Sequence, residues 1–231
     1  MVDISVVIPT KNEEETIGRL LSKLDRMGYN CIVVDDSFDS TVEVARKIMP
    51  NGRLNIFRGY GVESPSVALG VTAAEEYVVV MDADGSHPPE VVSELVRAIE
   101  EGAEIAVASR YCNGGSRGPC TFYSPLGNMV ARAIMGLRTK DITGRFFACR
   151  KGVFLTNSSW SGAGEDLLDF FYNVEKKGYN IVEVPYEFKD RVAGNTTKSN
   201  LRAIIWRYLR RSIAIRLGIS RGAGMNPWKS R

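Results

Sequence analysis

Two aspartates one residue apart, Asp82 and Asp84, stand at the end of the apolar run Val78 to Met81 and just before Gly85-Ser-His-Pro-Pro-Glu90. The run reads as a buried strand of a parallel sheet. Gly85 permits a turn, and Pro88-Pro89 mark the start of a helix with Glu90 in its first turn. Residues i and i+2 of extended chain share a face, so both carboxylates can reach one point beyond the strand's C-terminal end. Open α/β sheets bind their ligands at that edge. Two hard oxygen ligands, with room for water and phosphate oxygens, suit Mg²⁺ or Mn²⁺. The same pattern arises where acidic residues only end a strand or cap a helix, so the metal reading depends on what surrounds it.

The elements that would position these carboxylates alternate along the first ninety residues. Asp3–Pro9 reads as a strand, and Glu15–Met27, with Ile17, Leu20, Leu21 and Leu24 in phase, as a helix ended by Gly28. Cys31–Val34 is a second strand, running into Asp35-Asp36-Ser37-Phe38-Asp39-Ser40-Thr41, where Asp39 or Ser40 can cap a helix through Met49. Leu54–Arg58 is a third strand and Pro65–Ala74 a helix before the strand that ends in the two aspartates. This order predicts an α/β domain with a parallel sheet and right-handed crossovers. Gly59-Tyr60-Gly61 follows a strand but lacks a third glycine, so it is no dinucleotide fingerprint.

At 231 residues, 44% hydrophobic and 25% charged, the chain is the size of one large α/β domain or two small ones. A net charge of +3 is too small to imply nucleic acid, although basic residues crowd the end of the chain. The four cysteines (Cys31, Cys112, Cys120, Cys149) are scattered, which points to thiols in a reducing compartment rather than a zinc site. The single histidine, His87, leaves little scope for a His-based triad, so the chemistry must lean on carboxylates, basic groups and metal. The first residues read as a strand rather than a signal peptide, and no apolar run approaches the ~18–20 residues of a membrane span.

Three segments, Val6-Val-Ile-Pro-Thr-Lys-Asn-Glu13, Val33-Val-Asp-Asp-Ser-Phe-Asp-Ser-Thr41 and Met81-Asp-Ala-Asp-Gly-Ser-His-Pro-Pro-Glu90, resemble in order the nucleotide-sugar motifs of family 2 glycosyltransferases. The resemblance implies the GT-A fold and an inverting transferase. Further along, Ala108-Ser-Arg-Tyr-Cys-Asn-Gly-Gly115, Asp141-Ile-Thr-Gly-Arg-Phe-Phe-Ala-Cys-Arg150 and Glu183-Val-Pro-Tyr-Glu-Phe-Lys-Asp-Arg-Val-Ala-Gly194 are similar to the dolichol-phosphate mannose synthase branch. That branch implies metal-dependent transfer of mannose from GDP-mannose to a polyprenyl phosphate. Its implied nucleotide-sugar contacts are Pro9, Lys11, Glu13, Asp35, Asp36, Arg58 and Asp82. Asp82, Asp84 and Ser86 stand at its metal positions, and Arg191 and Lys198 at phosphate-contacting ones. Ser124, Arg110 and Arg117 lie near the acceptor phosphate, and Asp169 matches an acidic position that a solvated helix surface would equally explain.

The departures from that branch are specific. Ser86 replaces a glutamine, Cys120 replaces an arginine, and Gly194-Asn-Thr-Thr-Lys198 carries one residue more than the usual Gly-x-Ser-Lys. Around residues 58–70 only Arg58, Gly61 and Ala68 of the usual pattern remain, which bears on base preference. A UDP-glucose or UDP-N-acetylhexosamine donor is therefore the alternative within the enzyme class. Outside it stands a non-catalytic nucleotide-sugar-binding subunit of a membrane complex.

Residues 1–200 make up the expected catalytic domain and 201–231 a basic helix with a tail. In Leu201–Leu217 the apolar Leu201, Ile204, Ile205, Tyr208 and Ile215 fall on one helical face, with Arg207, Arg210 and Arg211 opposite and Arg202 and Arg216 intruding on the apolar side. Such a helix either packs on the domain or lies in a membrane interface with its arginines at anionic headgroups. The expected partners are the donor, the lipid phosphate, the membrane surface and a membrane-anchoring subunit, at the cytoplasmic face of a membrane.

Overall fold

A computed structural model describes residues 3–50, 52–61, 63–118, 123–159, 165–189 and 201–219; at 63, 64, 123, 124 and 201–204 it describes the backbone alone. The first half runs β1 (Ile4–Thr10), α1 (Ile17–Arg26), β2 (Asn30–Asp35), α2 (Thr41–Ile48), β3 (Leu54–Arg58), α3 (Glu63–Ala73) and β4 (Tyr77–Val80). These are the expected elements, with β3 unchanged and the other ends moved by at most two residues. Glu90, expected inside a helix, stands at the N-cap position of α4 (Val91–Glu100) without a side-chain cap bond, because the chain turns through Pro88 and Pro89 first; its carboxylate accepts from Lys23 Nζ at 2.6 Å. Ser40 makes no side-chain cap on α2; Asp39 Oδ1 accepts the Thr41 N–H at 3.1 Å and fills that role.

The second half adds β5 (Ile105–Ser109), α5 (Tyr123–Met135), β6 (Phe147–Arg150), α6 (Lys151–Asn157), α7 (Asp166–Lys176), β7 (Ile181–Pro185) and α8 (Leu201–Arg216). The seven strands form one sheet in the order β3-β2-β1-β4-β6-β5-β7. β1 pairs with β2 and β4, β2 with β3 and β5 with β7 in parallel, whereas β6 runs antiparallel to both its neighbours.

Alternation along the strands splits the core in two. Val6, Ile8, Cys31, Val33, Val79 and Met81 meet α1, α2 and α4 on one face. Val7, Ile32, Val34, Val78 and Val80 meet helices α3 and α5–α8 on the other. There Phe147, Phe154, Phe170 and Phe171 pack ring against ring, with centroids 5.3–6.3 Å apart. Gly70 lets α3 lie close on the sheet, since a Cβ at that position would come within 2.5 Å of Val7. Helix α8 packs against α5 and α7.

Candidate active site

All four strands of the first half end on one edge, and their register sets the site. Thr10, Asp35 and Arg58 lie side by side across β1, β2 and β3. Asp35 Oδ1 accepts the hydroxyls of Thr10 at 2.8 Å and Ser37 at 2.6 Å. Its Oδ2 accepts the Ser37 N–H at 3.1 Å and faces Arg58 Nη1 at 3.7 Å. Asp36 accepts the Gly61 N–H at 2.7 Å and the Ser66 hydroxyl at 2.9 Å. Only glycine fits at 59, where a Cβ would stand 2.4 Å from Asp36 Oδ2. The two aspartates expected to line a nucleotide pocket are thus buried and brace the loops at this edge of the sheet. Of the other residues expected there, Lys11 is exposed, Pro9 and Glu13 are half-buried, and Glu13 Oε2 accepts the Thr16 hydroxyl at 2.8 Å.

At the end of β4 the chain turns through Gly85 at φ 84°. Asp84 is buried, and its Oδ1 accepts both the N–H (3.0 Å) and the hydroxyl (2.6 Å) of Ser86. Ser86, expected as a metal ligand, braces the turn: its hydroxyl donates its proton to Asp84 and orients that carboxylate. His87 lies behind the turn, stacked on Phe146 with centroids 4.8 Å apart, and its Nδ1 accepts the Asp82 N–H at 2.9 Å. Burial holds the His87 pKa below its ordinary value, although Asp82 and Asp84 pull it upward. The imidazole is neutral and structural.

The antiparallel strand contributes what the sequence left out. Because β6 enters the sheet from the ligand edge, it brings Asp141–Arg145 beside the two aspartates. Arg145 Nε approaches Asp82 Oδ1 at 3.4 Å. Arg110, expected to meet the acceptor phosphate, is fork-bonded instead to the fully buried Asp141, Nε to Oδ2 at 2.7 Å and Nη2 to Oδ1 at 2.8 Å. Burial opposes its charge, but the Asp141 hydrogen bonds and carboxylate more than offset this and raise its pKa. Arg110 is therefore an anchor between the end of β5 and the segment that leads into β6. Arg117, by contrast, is exposed on the strap that pairs at Ser116 with Glu187.

Asp169 is neither a solvated helix residue nor an open site carboxylate. It is buried on α7 and held by Arg211 of α8, whose Nε donates to Oδ2 at 2.9 Å. Arg211 is likewise corrected from a headgroup-facing residue to a buried one. Arg191 and Lys198 lie outside the described residues. Ser124 falls in the first turn of α5, its side chain outside what is described.

Among the described residues, no third His, Cys, Asp or Glu joins Asp82 and Asp84 in a metal-binding cluster. A small hard cation fits such a pair when a diphosphate and water supply its other oxygens. Beside the turn, a cavity of about 150 Å³ is lined by Asp82, His87, Arg19, Lys23 and Lys189. Sequence reasoning passed over Lys189 and Arg145. A basic residue directly ahead of the buried run 146–149 is the one signal that pointed to Arg145.

The sheet is thus parallel except at β6, with Asp82 and Asp84 at the C-terminal edge of its parallel half. The chain belongs to glycosyl transferase family 2, whose model matches residues 5–156. It is 36% identical over 226 residues to a dolichol-phosphate mannosyltransferase of Pyrococcus furiosus, covering 90% of this chain and 62% of that one. It is 29% identical over 237 residues to a polyprenol monophosphomannose synthase of Mycolicibacterium smegmatis, covering 94% and 89%. The chain thus spans less than two thirds of the length of the Pyrococcus relative. Its fold is similar, at TM-score 0.73 and 18% identity, to glucosyl-3-phosphoglycerate synthase of Mycobacterium tuberculosis in complex with Mn²⁺, UDP and phosphoglyceric acid, with 96% of this chain and 80% of that one covered.

Proposed function

We propose that the chain catalyses inverting transfer of mannose from GDP-mannose to dolichyl or another polyprenyl phosphate, with Mg²⁺ or Mn²⁺ held at Asp82 and Asp84. The observation that carries this reading is Asp84, buried and oriented by Ser86 at the ligand edge of the sheet. The relatives named for mannosyl transfer to lipid phosphates support the substrates. A divalent ion held by Asp82 and Asp84 would supply electrostatic stabilisation of the charge left on the departing diphosphate. This chain's residues hold the geometry: Ser86 aims Asp84, His87 fixes the turn from behind, and Asp141 with Arg110 fixes the start of β6. A phosphate acceptor is ionised at neutral pH and needs no strong general base, which agrees with a neutral, buried His87.

The lipid acceptor also fits the surface. No helix among the described residues is long and apolar enough to cross a membrane. Instead α5 exposes Leu126, Met129 and Val130, and α8 exposes Trp206 and Ile213 together with Arg207, Arg210 and Arg216, with Leu217 exposed just past its end. We read these packed helices as the face that meets the bilayer at its cytoplasmic side, with Ser124, in the first turn of α5, and Arg117 near the acceptor phosphate. Arg191 and Lys198 are the proposed phosphate contacts beyond the described residues.

A UDP-sugar is the second reading, favoured by the departures around residues 58–70 and by the UDP bound to the structurally similar synthase. One experiment separates the two. With Mn²⁺ present, GDP should raise the melting temperature and UDP should not, and mannose from labelled GDP-mannose should appear on polyprenyl phosphate. Stabilisation by UDP alone would transfer the reading to a UDP-sugar, and no transfer from either donor would leave a binding subunit.

A further inference from the structure

Arg145 is placed by register. β4 and β6 pair antiparallel with Val79 opposite Ala148 and Val80 opposite Phe147, so two further steps outward set Arg145 opposite Asp82. Its backbone is pinned on both sides. Ahead of it, Asp141 is fork-bonded to Arg110, and Asn128 accepts the Ile142 N–H at 3.1 Å. Behind it, Phe146 is fully buried against His87. Between these anchors the arginine side chain remains a quarter exposed.

Its ion pair differs in kind from its neighbour's. Arg110 grips Asp141 through two nitrogens at 2.7 and 2.8 Å. Arg145 touches Asp82 through Nε at 3.4 Å, longer than the roughly 2.7–2.9 Å of a strong charge-assisted bond. Such a contact is replaceable. A divalent ion on Asp82 would take over the carboxylate's attraction and repel a guanidinium left beside it. The guanidinium can then turn to an anion that arrives with the ion, and its planar fork suits phosphate oxygens.

We propose that Arg145, which pairs with Asp82, is a phosphate-binding residue of this site and turns to a phosphate when Asp82 and Asp84 hold a divalent ion. This rests on the reading of Asp82 and Asp84 as the metal pair. The phosphate is that of the donor diphosphate or that of the lipid acceptor.

The test is Arg145→Gln beside Arg145→Lys, with the melting temperature of each variant alone reporting the fold. Mn²⁺ alone, followed by the electron-spin resonance of the free ion, should bind Arg145→Gln several-fold more tightly than wild type, because a competing charge is gone. Inorganic pyrophosphate with Mn²⁺ should bind it about tenfold more weakly, the order expected for one lost charge-assisted hydrogen bond, and Arg145→Lys should recover part of that loss. If pyrophosphate binding is unchanged but KM for polyprenyl phosphate rises about tenfold, the acceptor is the phosphate contacted. Unchanged binding of Mn²⁺ and pyrophosphate together with an unchanged KM would overturn the proposal. The pyrophosphate arm needs no nucleotide, so failure of both GDP and UDP to bind wild type would count against the proposed donor and not against Arg145.

Discussion

Arg211 on α8 and Asp169 on α7 form a two-pronged ion pair that is almost wholly withdrawn from solvent. One turn earlier on α8, Arg207 faces the buried Glu165, the N-cap residue of α7, at 3.9 Å. Two basic and two acidic positions, each four residues apart, thus meet along the contact between the helices, and the last helix is fixed in rotation about its axis.

Breaking that pair on one side should be costly. Asp169→Asn or Arg211→Met leaves a buried charge without its partner, a loss of about 3–5 kcal/mol. The double replacement Asp169→Leu with Arg211→Met should recover much of it. Chemical denaturation measures all three. If Asp169 is structural, the folded Asp169→Asn protein should still bind nucleoside diphosphate with Mn²⁺ as wild type does.

Asp84→Asn should remove most activity, and because Asp84 is buried it should also lower stability by about 1 kcal/mol. Asp82→Asn should be harmful but less so. Ser86→Ala removes only the brace, so Mn²⁺-dependent nucleotide binding should weaken while the melting temperature hardly moves. Full activity of Asp84→Asn, or of wild type in excess EDTA, would contradict the metal mechanism.

His87 is the only histidine in the chain, and its burial makes stability depend on pH. Its folded pKa lies below the ordinary 6.5, so the unfolded chain binds a proton there that the folded protein refuses. The contribution is complete above about pH 6.5 and is lost as pH falls toward the folded pKa, with a slope of at most about 1.4 kcal/mol per pH unit. Urea midpoints between pH 5 and 7 should follow this slope, and His87→Asn should flatten it.

The bilayer reading is best tested at points on the outer face, because truncation at residue 201 would also strip Arg211 and the buried Ile215 from the core. Trp206→Ala with Ile213→Ala should weaken sedimentation with anionic vesicles at any salt. Arg210→Gln with Arg216→Gln should remove only the salt-sensitive part, about 1 kcal/mol per arginine. Nucleotide binding should be unaffected in both. Wild-type sedimentation by the doubly substituted Trp206 and Ile213 protein would show that this face does not meet lipid.

Much of this protein is written locally. Alternating strand and helix signals over residues 3–90 determine the parallel half-sheet, because right-handed crossovers leave little choice of topology, and parallel strands all deliver their ends to one edge. That is why Asp35, Asp36, Asp82 and Asp84 could be placed together from the chain alone. The partners of those groups could not. Whether Arg110 meets a phosphate or Asp141 depends on β6 entering antiparallel between β4 and β5, a pairing set by strands some forty to seventy residues apart. In α8 the pattern identified a helix with two kinds of face, but Arg211 turns inward and Trp206 and Ile213 outward. Helical periodicity says which residues share a face; only the complementary charge on α7 and the apolar surface of α5 decide which face is buried.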